Sequence, residues 1–492
     1  MKICVLEEAG GSADAALGEQ DWPTVILPYL DGHDAEVHAI HKATAVRQVI
    51  ALAQRGFDVF INLCDGAWES ESPGIEVVQA LERVGVPFTG ATSAFYDPSR
   101  EEMKRVCHAY GIPTPAYVQA TDPADVERAA ERLRFPLFVK HPHGYSSVGL
   151  SRASRVETPE ALRAQAAALF AAHGGALIEE FVEGREFTVL VAENPDDPAA
   201  PVVYEPVEFR FPEGETFKHY DLKWKEYEGL SVALCDDPAL ARRLKNLSRA
   251  MFVGLGGAGY GRCDLRVDAA GVPHMLEINP NCGLFYAPED AGSADFILLN
   301  DPDGHRGFVD LILRAALARH RRQIRPWTGR VDHARGYGLY ARRAIAPGEC
   351  IERFEETPHV LVSRSHVRHH WSTERQAWFA RHAYPLTDEI YVAPSHRPDD
   401  AHAVNHACDP NAWLDGLDLV ARRAIAPGEE ITIDYATRHT EMMPAFGCSC
   451  GAPECRGVIR GTDHLQPFVE RYGTHVSDHV RARRRIHSAR GE

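Results

Sequence analysis

Apolar positions in the first three hundred residues alternate between short solid runs and helical periods. Residues 3–6 are a short apolar run of strand length, and 58–63, with Val59, Phe60 and Ile61 at its centre, reads as a second buried strand. Between them Thr44 opens an amphipathic stretch that ends at Gly56. A helix is expected over 74–84 and a strand over 86–89. This βαβ rhythm predicts a parallel sheet covered by helices. Further on, a helix is expected over 99–110, strands over 137–140, 176–181 and 186–191, and a helix after Asp237-Pro238. Two more strands surround 262–267 and 274–278. A helix over 304–322 ends in a basic run (Arg319, Arg321, Arg322, Arg325) that Pro326 breaks, and the domain boundary is placed there.

Beyond Pro326 the segments shorten, Gly and Pro punctuate closely, and the only long helical period lies over 372–383. The octapeptide Ala341-Arg342-Arg343-Ala344-Ile345-Ala346-Pro347-Gly348 recurs from Ala421 to Gly428, each copy followed by Glu. Two copies are too few for a solenoid and read as equivalent strand–turn units in a mostly β domain. The terminal Arg481, Arg483, Arg484 and Arg485 read as a solvated tail.

Composition sets limits. The 492 residues suggest about three folded units. With 45% apolar and 25% charged residues, the chain is of ordinary globular type. Net charge is 53 − 70 = −17, which argues against nonspecific nucleic-acid binding as the main task. The first 325 residues hold nearly all of that excess. Only eight lysines occur, none beyond Lys245, and 14 of the 25 histidines lie after residue 325. No run reaches the roughly 18 apolar residues of a membrane span, and the amino terminus is too short for a secretory apolar region. Eleven mostly scattered cysteines suit a reducing cytoplasm.

The first chemical signal is Phe138-Val139-Lys140 followed by His141-Pro142-His143-Gly144-Tyr145-Ser146-Ser147-Val148-Gly149. A strand delivers a lysine and a Gly/Ser loop can approach phosphate oxygens; a hairpin turn with an exposed lysine is the other reading. The second is Gly261-Arg262-Cys263-Asp264 with Glu277-Ile278-Asn279. Glu277 and Asn279 share one strand face, and Asp264 can reach it from a neighbouring strand. Two carboxylates and an amide oxygen are hard ligands suited to Mg²⁺ beside phosphates.

Together these residues resemble the ATP-grasp superfamily, most closely the D-alanine–D-alanine ligases, over about residues 1–320. Asn62-Leu63, Asp65-Gly66 and residues 81–90 match the amino-terminal substrate region, and Gly111-Ile112-Pro113-Thr114-Pro115 opens the central one. The resemblance implies that Glu179, Phe181 and Val182 hold adenine and Glu186 the ribose. Lys104, Lys140 and Lys223 would contact ATP phosphates, residues 146–149 would cover them, and Ser146 would bind ATP. Asp264, Glu277 and Asn279 would hold two Mg²⁺, and Arg262 with the backbone near Gly283 would stabilise an oxyanion. Arg262 and Ser147 are thus assigned to catalysis. The chemistry implied is acyl phosphate formation followed by capture by an amine. Departures concentrate on the substrate side. Arg100 stands where the ligases carry a first phosphate lysine, Trp224 replaces a tyrosine, and Asp65 replaces a histidine. Glu7, Glu8 and Asp14 compete to bind the first amino group. This points to an amino-acid or small-peptide substrate other than D-alanine. Related ligases are commonly dimers, which makes a homodimer the state to test.

In the second half, Cys448-Ser449-Cys450 and Cys455 have the tight spacing of a tetrahedral Zn²⁺ site, with Cys408 as fourth ligand; a closed set of four thiolates is structural. Asn405-His406-Ala407-Cys408 and an alternating strand ending on Tyr435 accompany it. This combination resembles the SET methyltransferases, over about 327–462. Gly336, Tyr337, Gly338, Asn405 and His406 would bind S-adenosylmethionine, and Tyr435 would be the catalytic tyrosine. Tyr391 either lines the same channel or packs in a core. Transfer would go to a lysine-type amine supplied from outside this half, which has no lysine.

The expected class is therefore α/β (α+β): an ATP-grasp fold of three lobes (1–92, 93–172, 173–325), then a mostly β SET domain (326–446), a zinc segment (447–462) and a basic tail (463–492). The leading reading is a bifunctional carboxylate–amine ligase and N-methyltransferase. Its competitors are a protein-lysine methyltransferase with a nucleotide-gated binding module, and a ligase with a SET docking module.

Overall fold

The computed structural model describes residues 1–9, 24–66, 71–141, 150–217, 230–323, 325–332, 336–355, 359–393 and 404–490. They form two compact units, Met1–Gln323 and Ile324–Glu492.

The first unit contains three sheets. β1 (Lys2–Glu8), β2 (Asp34–Ile40) and β3 (Val59–Asn62) pair in parallel in the order β2-β1-β3. Helices Ala45–Ala53 and Ile75–Val84 bury Val49, Leu52, Val77 and Leu81 in a shared core with Cys4, Leu6 and Phe60. β2 is mostly half-exposed, so its apolar signal is weak. Residues 86–89 do not form the expected strand; Phe88 makes only an isolated bridge to Phe60.

This is the parallel sheet that the βαβ rhythm predicts, and the other two sheets of this unit are antiparallel. β4 (Tyr117–Ala120), β5 (Leu137–Lys140), β6 (Arg155–Val156) and β7 (Ala176–Glu180) form an antiparallel sheet in the order β4-β7-β5-β6. Helices Pro123–Arg132 and Pro159–His173 pack their Val126, Ala129, Leu162 and Leu169 against its Leu137, Val139 and Ile178.

The third sheet is antiparallel and six-stranded. β8 (Arg185–Ala192) lies at its centre, flanked by β10 (Val207–Arg210) and β12 (Tyr260–Val267). β11 (Ser231–Leu234) and β13 (Pro273–Pro280) complete the main path, and β9 (Val202–Val203) pairs with β8. Both faces are covered, which explains the solid apolar run of β8. Phe187, Val189 and Val191 join one core with the helices Arg100–Tyr110 and Pro238–Gly254, while Leu190 and Ala192 join another with the helix Gly304–Gln323. Alternate residues of one strand thus serve two cores.

The second unit is built of short strands. β14 (Trp327–Asp332), β15 (Gly336–Ala341), β23 (Glu430–Ile433) and β20 (Asn405–His406) form one sheet. Two three-stranded sheets accompany it: β16 (Cys350–Glu352), β22 (Asp418–Ala421) and β21 (Ala412–Asp415), then β17 (Val360–Ser363), β19 (Ile390–Ala393) and β18 (Tyr384–Pro385). The repeated octapeptides face each other across a local two-fold. Ile345 and Ile425 exchange N–H···O bonds of 3.0 Å, Gly348 N–H donates to Ala421 O at 2.8 Å, and Gly428 N–H donates to Ala341 O at 2.7 Å. Both glycines have φ of 81°, so each tight turn needs the left-handed conformation. Arg343–Glu349 and Arg423–Glu429 ion pairs repeat the symmetry.

Candidate functional site

A cavity of about 480 Å³ opens in the first unit. Its wall includes Arg100, Lys140, Glu179, Phe181, Val182, Glu186, Arg262, Asp264, Glu277, Asn279 and Gly283. The β12–β13 register places Asp264 opposite Glu277 and Arg262 opposite Asn279. Asn279 Nδ2 donates to Asp264 Oδ2 at 3.0 Å, and Thr188 Oγ1 donates to Asp264 Oδ1 at 2.8 Å. Arg262 forks onto the same carboxylate through Nε at 3.0 Å and Nη2 at 2.9 Å. Arg100, in the first turn of its helix, donates to Glu277 Oε2. The acidic side chains are thus held by guanidinium groups.

The lysines converge from the other side. Lys104 Nζ lies 2.9 Å from Glu179 Oε2 and donates to Thr114 Oγ1 at 2.7 Å; Lys140 Nζ is paired with Glu179 Oε1. Thr114 in turn donates to Met275 O at 2.9 Å, tying the lysine to β13. Burial pulls the Lys140 amine down to about 8 against the opposing Glu179 charge, and Arg100 and Lys104 add to the fall. Burial alone would raise Glu179, but Lys104 and Lys140 overturn it and hold the carboxyl at about 2. Burial also acts to raise Glu277, and Arg100 with Lys140 keep it below the usual carboxylate range. Lys104 and Lys140 are thus both paired with Glu179, and Arg100 with Glu277.

The opposite wall is apolar. Phe138, Phe181 and Phe217 form a cluster with centroids 5.0 to 6.0 Å apart. Arg266 stacks on Phe181 at 4.7 Å and donates from Nη1 to Glu186 Oε2 at 3.1 Å. Ser146, Ser147, Gly149, Lys223, Trp224 and Asp14 lie outside the described residues.

In the second unit β20 and β23 run parallel, with Asn405 opposite Thr432 and His406 opposite Ile433. Asn405 Nδ2 donates to Tyr337 O at 3.0 Å and Glu430 Oε1 at 2.8 Å, drawing Gly336-Tyr337-Gly338 to the same place. A Cβ at Gly338 would lie 2.7 Å from Glu430 Oε1 and 2.8 Å from Asn405 Nδ2. His406 Nδ1 accepts from Tyr435 N–H at 3.1 Å, which assigns the ring proton to Nε2, 3.4 Å from Cys408 Sγ. Burial pushes His406 down to about 4, consistent with a neutral ring. The Tyr435 hydroxyl donates to Val404 O at 3.1 Å.

The thiols of Cys408, Cys448, Cys450 and Cys455 all lie within 4.8 Å of one another, with 4.0 Å between the sulfurs of Cys408 and Cys448. Tetrahedral zinc at about 2.3 Å from each thiolate needs sulfurs roughly 3.8 Å apart, so the donor set fits.

Sequence reasoning missed the support for Tyr435. Asp434 is fully buried and accepts from Arg456 at 2.7 Å twice, from the Tyr472 hydroxyl at 2.8 Å, and from Ala436 N–H at 3.0 Å. Arg456 follows Cys455, and its N–H donates to Cys408 Sγ at 3.3 Å. The arginine-rich terminus is not a solvated tail. Residues 461–472 form short helical turns, Asp478–Arg490 is a helix, and Val469, Tyr472, Val476 and Val480 are buried beside Ala436. Arg484 is not free in solvent but donates to His464 O at 2.7 Å. Apolar side chains at helical spacing outweigh the arginine density. Tyr391 packs 5.3 Å from Phe379 in a core.

Two family models match: the D-ala D-ala ligase C-terminus over residues 106–287 and the SET domain over residues 336–436. The D-alanine–D-alanine ligase of Herminiimonas arsenicoxydans is 31% identical over 271 residues, 53% of this chain and 76% of that protein. The corresponding ligase of Laribacter hongkongensis is 32% identical over 269 residues, covering 53% and 80%. Among solved structures, the D-alanine–D-alanine ligase of Bacillus anthracis gives a TM-score of 0.49 at 20% identity, covering 66% of this chain and 100% of that one. No helix among the described residues is long and apolar enough to cross a membrane. The chain belongs to the D-alanine–D-alanine ligase family of ATP-grasp enzymes and carries a SET domain of the methyltransferase family behind it.

Proposed function

We propose that the chain is a bifunctional enzyme of a reducing cytoplasm: an ATP-dependent ligase joining the carboxylate of an amino acid or small peptide to an amine, and a SET N-methyltransferase. The observation that carries the ligase is the single cavity in which Lys140, Glu179, Glu186, Asp264, Glu277 and Asn279 meet. Phe138, Phe181 and Phe217 would hold adenine, with the backbone of Phe181 and Val182 at its polar edge and Glu186 at the ribose. Lys104, Lys140 and Arg100 would receive phosphate as Glu179 and Glu277 release them.

Asp264 and Glu277 offer carboxylates, and Asn279 has Nδ2 committed to Asp264, leaving its amide oxygen as a ligand atom. Two Mg²⁺ there would neutralise charge on the transferring phosphoryl group. The substrate carboxylate attacks γ-phosphate to give an acyl phosphate, and the amine nitrogen then displaces phosphate. Arg262 would hold the oxyanion of that second step once Asp264 turns to metal.

In the second unit Gly336, Tyr337, Gly338, Asn405 and His406 would seat S-adenosylmethionine. Tyr435, fixed by His406 and Val404, would orient the amine toward the methyl group. Four thiolates closing on Zn²⁺ leave no open coordination position, so the metal would hold the fold rather than react.

Lys140→Ala should abolish amine-dependent ATP turnover while S-adenosylmethionine binding persists, and Tyr435→Phe should remove methyl transfer while sparing ATP turnover. Wild-type protein that consumes no ATP with any amino-acid pool would leave the first unit a nucleotide-gated binding module.

A further inference from the structure

Tyr435–Thr437 is a single 3₁₀ turn, and Tyr435 O accepts from both Arg438 N–H at 3.1 Å and His439 N–H at 2.8 Å. Arg438 follows that turn as its cap, three residues from Tyr435. Its guanidinium stacks on the Tyr384 ring at 4.0 Å. The Arg438 charge acts on both the Tyr384 and the Tyr435 hydroxyls.

This arginine has no counter-ion among the described residues: no carboxylate lies within ion-pair distance of it, and its Nε is buried without a hydrogen-bond partner. Arg342, Arg364, Arg368 and Arg460 also form no ion pair among the described residues, but they are exposed to water, whereas Arg438 is half-buried and Arg422 and Arg456, equally half-buried, are paired. A half-buried, unpaired guanidinium costs free energy unless something anionic joins it. His439 completes the cluster. It is 4% exposed, lies 4.5 Å from the Tyr435 ring and 6.3 Å from the Tyr384 ring, and no side-chain hydrogen bond engages it among the described residues.

We infer that Arg438 receives a carboxylate of the methyl acceptor, so that the acceptor is an amine with its own carboxylate close by, an α-amino acid or a short peptide, and not a peptidyl lysine. A lysine ε-amine within a polypeptide brings no anion of its own to Arg438, whereas an α-amino acid presents ammonium and carboxylate two bonds apart. The planar fork of arginine suits bidentate carboxylate recognition, and stacking on Tyr384 fixes its plane. The unpaired His439 ring offers an acceptor nitrogen to an amine N–H. The acceptor loses one proton to water, its nitrogen forms the N–C bond as the C–S bond of the sulfonium breaks, and the electron pair stays on sulfur. This inference rests on the methyltransferase reading above and narrows its substrate to the compound class that the ligase half handles.

The test uses full-length protein and labelled S-adenosylmethionine with three acceptor sets: free amino acids and dipeptides, their carboxamides, and a blocked lysine-containing peptide. The carboxylate set should be methylated, with kcat/KM on the order of 100-fold above the carboxamides. Arg438→Gln should erase that preference mainly through KM, Arg438→Lys should restore part of it, and amine-dependent ATP turnover should be unchanged in both. Methylation of the lysine peptide as fast as the acids, or a preference that survives Arg438→Gln, overturns the inference while leaving the methyltransferase reading intact. No methyl transfer to any acceptor overturns both.

Discussion

Asp434→Asn removes one charge and almost no volume from the second unit. Asp434 sits beneath Tyr435 with its side chain fully buried, and it takes both 2.7 Å bonds from Arg456 and the 2.8 Å bond from Tyr472. The asparagine keeps one acceptor oxygen and turns an NH₂ toward a guanidinium. Removing one partner of a buried pair costs about 3–5 kcal/mol. Arg456 keeps 17% side-chain exposure and recovers some water, so the lower end, about 3 kcal/mol, applies. That corresponds to roughly a 100-fold faster exchange of amides protected by this unit. Hydrogen exchange read by mass spectrometry reports it region by region. Peptides over 404–439 and 456–480 should lose protection while those over 1–323 keep it. Arg456→Gln added to Asp434→Asn should cost less than the two single changes summed, because the stranded charge is gone. The acid limb has a definite sign. Burial would raise Asp434, yet Arg456 holds it below its usual range, so its stabilisation is complete above the ordinary carboxyl pKa and lost as pH falls through the lower native value. Wild-type-like exchange in the asparagine variant, or strict additivity of the pair, would refute this reasoning.

Three further outcomes are expected. With the Lys140 amine pulled to about 8, kcat/KM for ATP should fall as pH rises through that value, and Lys140→Arg, which stays charged, should flatten the limb whatever its absolute rate. Elemental analysis should find about one zinc per chain, lost in Cys450→Ser, and a folded wild-type protein free of zinc would contradict the four-thiolate assignment. Gly338→Ala places a Cβ 2.7 Å from Glu430 and should weaken S-adenosylmethionine binding roughly 10-fold or more by calorimetry, since overpacking costs about 1–3 kcal/mol.

Some of this was legible in sequence because spacing alone determines it. Glu277 and Asn279 must share a strand face, and the β12–β13 hairpin then brings Asp264 opposite Glu277. Cys448, Cys450 and Cys455 are close along the chain, and only Cys408 had to be recruited from elsewhere. The octapeptide repeat marked a real local two-fold. What escaped depends on partners distant in sequence. The apolar runs over 137–140, 176–181 and 186–191 belong to two antiparallel sheets, and a run buried on both faces carries no direction. Nothing near Glu179 announces that Lys104 and Lys140 will both be spent on it. Arg484 reads as solvated in the sequence, whereas Val476 and Val480 pack into a core and the helix carrying Arg484 is docked.

If both units are catalytic, a single reaction mixture reports on them together. Full-length protein is incubated with ATP, methyl-labelled S-adenosylmethionine and an amino-acid pool carrying ¹⁸O in its carboxylates. An acyl phosphate delivers one carboxylate oxygen to inorganic phosphate, so the account predicts ¹⁸O-phosphate in step with new amide. It also predicts labelled methyl on an amine, the first product vanishing in Lys140→Ala and the second in Tyr435→Phe. Phosphate without ¹⁸O, no ATP consumption with any pool, or methylation absent from every amine would contradict it.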